Sequence, residues 1–355
     1  MNPFLAMLLS ALAALVAMLG NVLVLIWYEQ KVLAHIQIRM GPMRTGFHGM
    51  AQPLADALKV MTKEDIQPAK VDKWLFNLAP IVVFVPAYLL YLAVPATSQL
   101  VGHNFDLSLF YVFAVAALFP IGILMAGWSS NNKYSLLGGL RAAAQQISYE
   151  VPMLLSVLGV VMLSGTLSIV EIVEAQARAP YVLYQPVAFL LFLTTLCAEL
   201  NRTPFDMPEA ESELVAGYQT EYSGMKFALF MLAEYANLFV LSALAAALFL
   251  GGWNGPVLPP VVWFFVKTYF IITLIIWIRG SLPRVRVDQL MDLGWKILLP
   301  LGLLNILYTG VLIMLPGVSL YLALVSLALV GAWALLPRLR PARQEAVEPG
   351  LQGEG

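Results

Sequence analysis

Residues 199–222 read ELNRTPFDMPEAESELVAGYQTEY, with carboxylates at Glu199, Asp206, Glu209, Glu211, Glu213 and Glu221 against the single cation Arg202. The runs flanking it, 183–200 and 227–250, are almost wholly apolar. So acidic a stretch between two runs long enough to cross a bilayer reads as a connection between membrane helices. It is either a solvated loop or a proton-handling site beside the membrane. The rest of the chain bears on that choice.

Hydrophobic residues make up 60% of the 355 and charged ones only 12%, with a mean hydropathy of +0.81. That excludes an ordinary soluble protein and makes the chain an integral membrane protein, an all-α polytopic helix bundle. A formal net charge of −1 says nothing of partners, because the charge is unevenly spread. One cysteine, Cys197, cannot form an intramolecular disulfide, and no cysteine–histidine cluster suggests a metal or iron–sulfur site. His35, His48 and His103 are scattered and read as solvent-facing or structural. The first apolar run lacks a basic flank and a small-residue cleavage pattern, so it reads as a retained helix and not a signal peptide.

Scanning for runs of about 20 apolar residues gives nine candidate spans: 4–28, 74–94, 109–128, 151–170, 183–200, 227–250, 257–278, 295–315 and 318–336. Pro316 and Gly317 break the last pair, and if they do not, the count is eight. Residues 1–337 form one transmembrane domain, and 338–355, RLRPARQEAVEPGLQGEG, form a disordered cytoplasmic tail. Of the 20 lysines and arginines, Arg178 alone falls on one side and Lys267 falls inside a span. All others lie in the connections of the opposite side or in the tail. The positive-inside rule therefore puts the amino terminus outside and the carboxy terminus in the cytoplasm.

The first cytoplasmic loop holds Leu54, Leu58 and Met61 at helical spacing after Pro53, which reads as a short amphipathic interfacial helix. Residues 39–46, RMGPMRTG, read as an electrostatic anchor to anionic lipid. The second loop ends on Glu150 shortly before Pro152, as a carboxylate complementing a helix amino terminus would, or as part of a proton site. The fourth, RGSLPRVRVDQLMDLGWK at 279–296, is basic, and Pro283 stops a simple helical continuation.

Glu234 and Lys267 lie inside spans, and Glu199 closes one. Charge at bilayer depth costs roughly 2.5–3.5 kcal/mol on insertion scales. Such groups therefore face a bundle interior or a wet cavity. Lys267 reads either as paired internally with Glu234 or another acid, or as functional. Glu234 reads as a proton-exchanging carboxyl. Glu209 and Glu213 at i and i+4 share a helical face, where their repulsion makes one hold its proton more tightly. The alternative is a solvated acidic face. No nucleotide-, phosphate- or nucleophile-type motif is present, so no cofactor is bound by this chain.

The segments KVLAHIQIRMGP, GMAQPLADALKVMTKED, QQISYE, ELNRTPFDMPEAESELVAGYQTEYSGMKFALFMLAEY and IRGSLPRVRVDQLM resemble the H-subunit family of bacterial proton-pumping NADH–quinone oxidoreductases (complex I). That family is equivalent to mitochondrial NADH dehydrogenase subunit 1. The resemblance runs to about residue 336. Gln30 stands where the family commonly has arginine, and Met43 where asparagine is frequent.

The resemblance implies a multi-pass subunit of the bacterial inner membrane that forms the membrane side of a quinone chamber. Quinone is then the substrate, while NADH, FMN and iron–sulfur clusters belong to partner subunits. The implied partners are the iron–sulfur subunits of the peripheral arm, small and antiporter-like membrane subunits, and lipid, with no nucleic acid. It also implies a proton path through Glu150, Glu199, Asp206, Glu209, Glu211, Glu213, Glu221 and Glu234. Arg39, Asp56, Lys59, Arg279, Arg284 and Arg286 match positions near the chamber and the arm interface. Two other readings are a membrane component of an energy-converting hydrogenase and a stand-alone ion-coupled transporter. The long first loop and the SLPRVRVDQLM segment argue against the first, and the lack of visible inverted repeats against the second.

Overall fold

In the computed structural model, residues 3–97, 105–208 and 214–315 are described. Among them the chain is helical and contains no strand. In order run α1 (Pro3–Ile36), α2 (Gln52–Thr62), α3 (Lys73–Ala93), α4 (Ser108–Ala116), α5 (Phe119–Ser129) and α6 (Lys133–Ser164). Then follow α7 (Ile169–Ala175), α8 (Pro186–Glu199), α9 (Gly224–Phe249), α10 (Pro260–Ser281), α11 (Val287–Asp292) and α12 (Leu299–Met314). A π-helical turn, Leu293–Leu298, joins the last two.

Among the described residues seven stretches are long and apolar enough to cross a membrane, and α8 is a shorter apolar helix. Eight of the nine expected spans therefore have a helical counterpart. The ninth, 318–336, and the tail 338–355 lie outside the described residues.

α9 is the axis of the bundle. Ala243, Ala245, Ala246 and Ala247 are completely buried, and small side chains let neighbouring backbones approach where apolar burial alone gives no drive between helices. Around it pack α3, α10, α1 and α2. Leu8, Leu12 and Val16 on α1 stay exposed, as suits a lipid-facing surface. The starts of α3 and α6 are fixed by side-chain caps, Asp72 accepting from Trp74 N–H and Asn132 from Tyr134 N–H.

Three boundaries differ from expectation, each for a physical reason. The expected second loop, 129–150, is largely the first half of α6. Its two glutamines do not face water: Gln145 Nε2 donates to the carbonyls of Ala198 and Phe205, each at 2.7 Å. Gln146 Nε2 donates to Glu199 O at 3.2 Å. Glu150 is therefore mid-helix and complements no helix amino terminus. The expected span 109–128 is two helices, α4 and α5, meeting near Pro120. The first span continues to Ile36, which carries Glu29 beyond the apolar run while keeping it on a rigid element.

Candidate functional site

The lone cation of the acidic stretch sits at the centre of the site. Arg202 follows α8 by three residues, and Asn201 turns the chain there through a left-handed φ of 50°, a conformation asparagine tolerates. Arg202 is 5% exposed. Its Nη1 donates to Glu29 Oε1 of α1 at 3.0 Å, and its Nη2 lies 2.8 Å from Glu234 Oε1 of α9. Arg279, from the end of α10, donates to the same oxygen of Glu29. The Tyr235 ring lies 5.0 Å from the Arg202 guanidinium carbon, a cation–π contact.

Two guanidiniums thus face two carboxylates, so the cluster is formally balanced. Paired in this way, charges can persist where single ones could not. Glu29 is 3% exposed and depends on that pairing.

Cavities open on either side of the cluster. One of about 240 Å³ is lined by Arg202, Gln219, Phe227, Met231 and Glu234. The other, about 380 Å³, is lined by Glu29, Arg39, Met40, Gly41 and Pro42. Tyr235 and Arg279 border both. The result is a pair of recesses with mixed polar and apolar walls whose charged groups converge on one spot.

The other acids occupy separate places. Glu199, at the end of α8, and Glu150, on α6, lie close enough for their carboxyls to interact. Asp206 accepts from Arg284 Nη2 at 2.8 Å, and Val285 N–H donates to Pro204 O at 3.1 Å, so the third and fourth loops are tied together. Glu221 accepts from Asn132 Nδ2 at 2.7 Å. Beside it Tyr222 stacks on Phe76 at 4.1 Å, and burial pushes its phenol up to about 12 despite an opposing hydrogen bond with Ser129. That hydroxyl keeps its proton at neutral pH. Glu209, Glu211 and Glu213 lie outside the described residues.

Of the expected basic and interface residues, Arg279 joins the cluster and Arg39 lines its second cavity, with Nε donating to Gln37 Oε1 at 2.6 Å. Asp56 instead accepts from Gln52 on its own helix at 3.1 Å, and Lys59 is exposed on α2. Arg286 is the residue before α11, its backbone N–H donating to Gln289 Oε1 at 3.3 Å. The structure does not bring these three to the recess.

One expectation is overturned. Lys267 does not pair with Glu234 or with any acid among the described residues. Its Nζ donates to Leu250 O at 2.7 Å and Asn254 O at 2.6 Å. Those carbonyls close the far end of α9, where the helix dipole favours a cation. Glu234 meets Arg202 in its place. Sequence reading also missed Glu29 and Tyr235 as members of the site. The signal that could have found them was Arg202 itself, since one arginine among many acids, once buried, requires a carboxylate partner.

A family model described as NADH dehydrogenase matches residues 9–310. The chain belongs to this family. It is 53% identical over 290 residues to the H subunit of NADH-quinone oxidoreductase from Dehalococcoides mccartyi, covering 82% of each chain. To the second such H subunit of Geobacter sulfurreducens it is 52% identical over 299 residues, covering 82% of this chain and 91% of that one. With the H subunit of Bacillus cytotoxicus it shares 50% over 308 residues, covering 85% and 92%. The family match spans every residue of the Arg202 cluster and both cavities.

Proposed function

We propose that this chain is the membrane-embedded H subunit of a proton-translocating NADH–quinone oxidoreductase. In this reading it forms the membrane side of the quinone chamber and couples quinone reduction to proton translocation. The observation that carries the proposal is the buried Glu29–Arg202–Glu234 bridge between two cavities, in a chain about half identical to H-subunit proteins over most of its length. Redox centres reside in the partner subunits, and this chain supplies the wall, the charges and the proton route.

The physical chemistry proceeds in two steps. Reducing a quinone consumes two protons per two electrons and changes the charge beside Arg279 and Tyr235. A balanced cluster responds as a whole: if Glu234 takes a proton, the full attraction of Arg202 falls on Glu29, and the loop that carries Arg202 is drawn toward α1. Glu199 stands three residues before Arg202 and against Glu150, so the same movement reaches a second carboxyl pair. Glu209, Glu211 and Glu213 belong to this route by their place in the acidic loop, and Glu221 and Asp206 flank it. Arg39, Arg284 and Arg286, with Asp56 and Lys59, belong to the chamber rim and the surface that meets the peripheral arm. The amino terminus faces outward, and the carboxy terminus and acidic loop lie on the cytoplasmic side of the bacterial inner membrane.

The test is Glu234→Gln in membranes containing the assembled complex. Expected is a loss of both quinone reduction and proton pumping, while NADH oxidation by an artificial acceptor on the peripheral arm continues. Pumping at the wild-type rate in Glu234→Gln membranes would show the coupling role to be wrong. Glu213→Gln is the parallel variant in the acidic loop.

A further inference from the structure

All but two of the lysines and arginines follow the one-sided distribution that orients the chain, and the two exceptions meet. Arg178, the one basic residue of the opposite connections, and Lys267, the basic residue within a span, line a single cavity of about 620 Å³. This cavity lies at the far end of α9. The cluster meets α9 (Gly224–Phe249) at Glu234, and from there to Leu250 is about 24 Å at the α-helical rise, so the Arg202 cluster stands most of the hydrocarbon depth away.

Among the described residues no carboxylate lines this cavity. Arg178 is exposed and makes no hydrogen bond or ion pair among the described residues. Lys267 spends two of its three N–H groups on Leu250 O and Asn254 O, which leaves one. The Trp263 indole borders the same space, and its Nε1 is buried with no acceptor among the described residues. The Lys267 ammonium lies 5.7 Å from that ring. Two cations and one orphaned donor, with no acid among them, are complementary to an anion rich in acceptor oxygens.

Beside Trp263 and Lys267 on α10, Val262, Val266 and Phe270 form an exposed stripe at four-residue spacing. From the geometry we infer that the cavity binds the phosphate headgroup of an anionic phospholipid, whose acyl chains lie along that stripe. Arg178 and Lys267 supply the charge, and Trp263 Nε1 donates to a phosphate oxygen. Interfacial tryptophan beside a basic residue is the general chemistry of such headgroup contacts. This site is independent of the quinone chamber and of the coupling mechanism proposed above.

The assembled complex, reconstituted in phosphatidylcholine nanodiscs containing phosphatidylglycerol, is extracted in mild detergent, and retained lipid is counted by mass spectrometry. Arg178→Gln and Lys267→Gln are expected to lower tightly retained phosphatidylglycerol about tenfold, the loss of one charge-assisted contact. Arg178→Lys retains it, and excess inorganic phosphate does not displace it. Arg178 is exposed, so its variants leave folding intact even where Lys267→Gln does not. Equal retention in wild type and Arg178→Gln overturns the proposal. So does displacement by inorganic phosphate, which assigns a free anion, or a carboxylate of another chain seated in the cavity of the assembled complex.

Discussion

Two cations taken from water, one beside the first half of α9 and one at its far end, are held in different ways. Arg202, which meets α9 at Glu234, is held by the carboxylates of Glu29 and Glu234. Lys267, near its end, is held by the backbone carbonyls of Leu250 and Asn254. Carboxylates can take up and release protons, and carbonyls cannot. The first end is a formally balanced ion cluster, whereas the second carries a cation with no counter-charge among the described residues.

The contrast can be broken most severely at Arg202. Arg202→Met leaves Glu29 and Glu234 without their shared partner, at a cost of about 3–5 kcal/mol for an uncompensated buried charge. The complex should fail to assemble or lose most of its thermal stability, and a normal melting temperature would argue against the bridge. At the other end Lys267→Met removes charged hydrogen bonds worth about 1.5–3 kcal/mol. The melting temperature should fall, but by less than in Arg202→Met; the reverse order would mean that the carbonyl-held cation is the more deeply committed one.

Gly138→Ala sharpens the comparison by leaving both cations in place. An added Cβ would stand 2.7 Å from Gly217 Cα, a backbone atom that cannot rotate aside. Overpacking of this kind costs about 1–3 kcal/mol. Gly217 lies within the acidic stretch, shortly before α9, so quinone-reductase activity should fall along with stability. If activity is intact, the acidic loop tolerates displacement and its exact seating is unimportant. Asp206→Asn should have the smallest effect, under about 1 kcal/mol, because Arg284 is partly exposed and such pairs contribute little. High salt should mask it, and a large salt-independent loss would mean the loop–loop tie is buried by a partner.

Much of this was legible in the chain. Apolar runs separated by charged connections gave eight of the helices now described, and lysine and arginine placement sorted those connections into two sides. The acidic stretch contributed Arg202, around which the buried cluster is built. Its central residue was misjudged, because Arg202 reads as a minority charge in a crowd of acids. Gln145 and Gln146 misled in the opposite direction, since their polarity reads as loop while their amides bond the backbone of another segment.

Hydropathy, helix period and charge asymmetry are carried by neighbours in the chain, so the sequence alone determined a multi-span helical membrane protein, its charge asymmetry and its family resemblance. Which charges neutralise one another depends on residues 173 and 250 positions apart, as with Glu29 and its two arginines. No local pattern encodes such pairings. Packing of α1, α9 and α10 brings them together, and the cost of leaving a buried charge alone favours the arrangement in which Glu29 and Arg202 are paired.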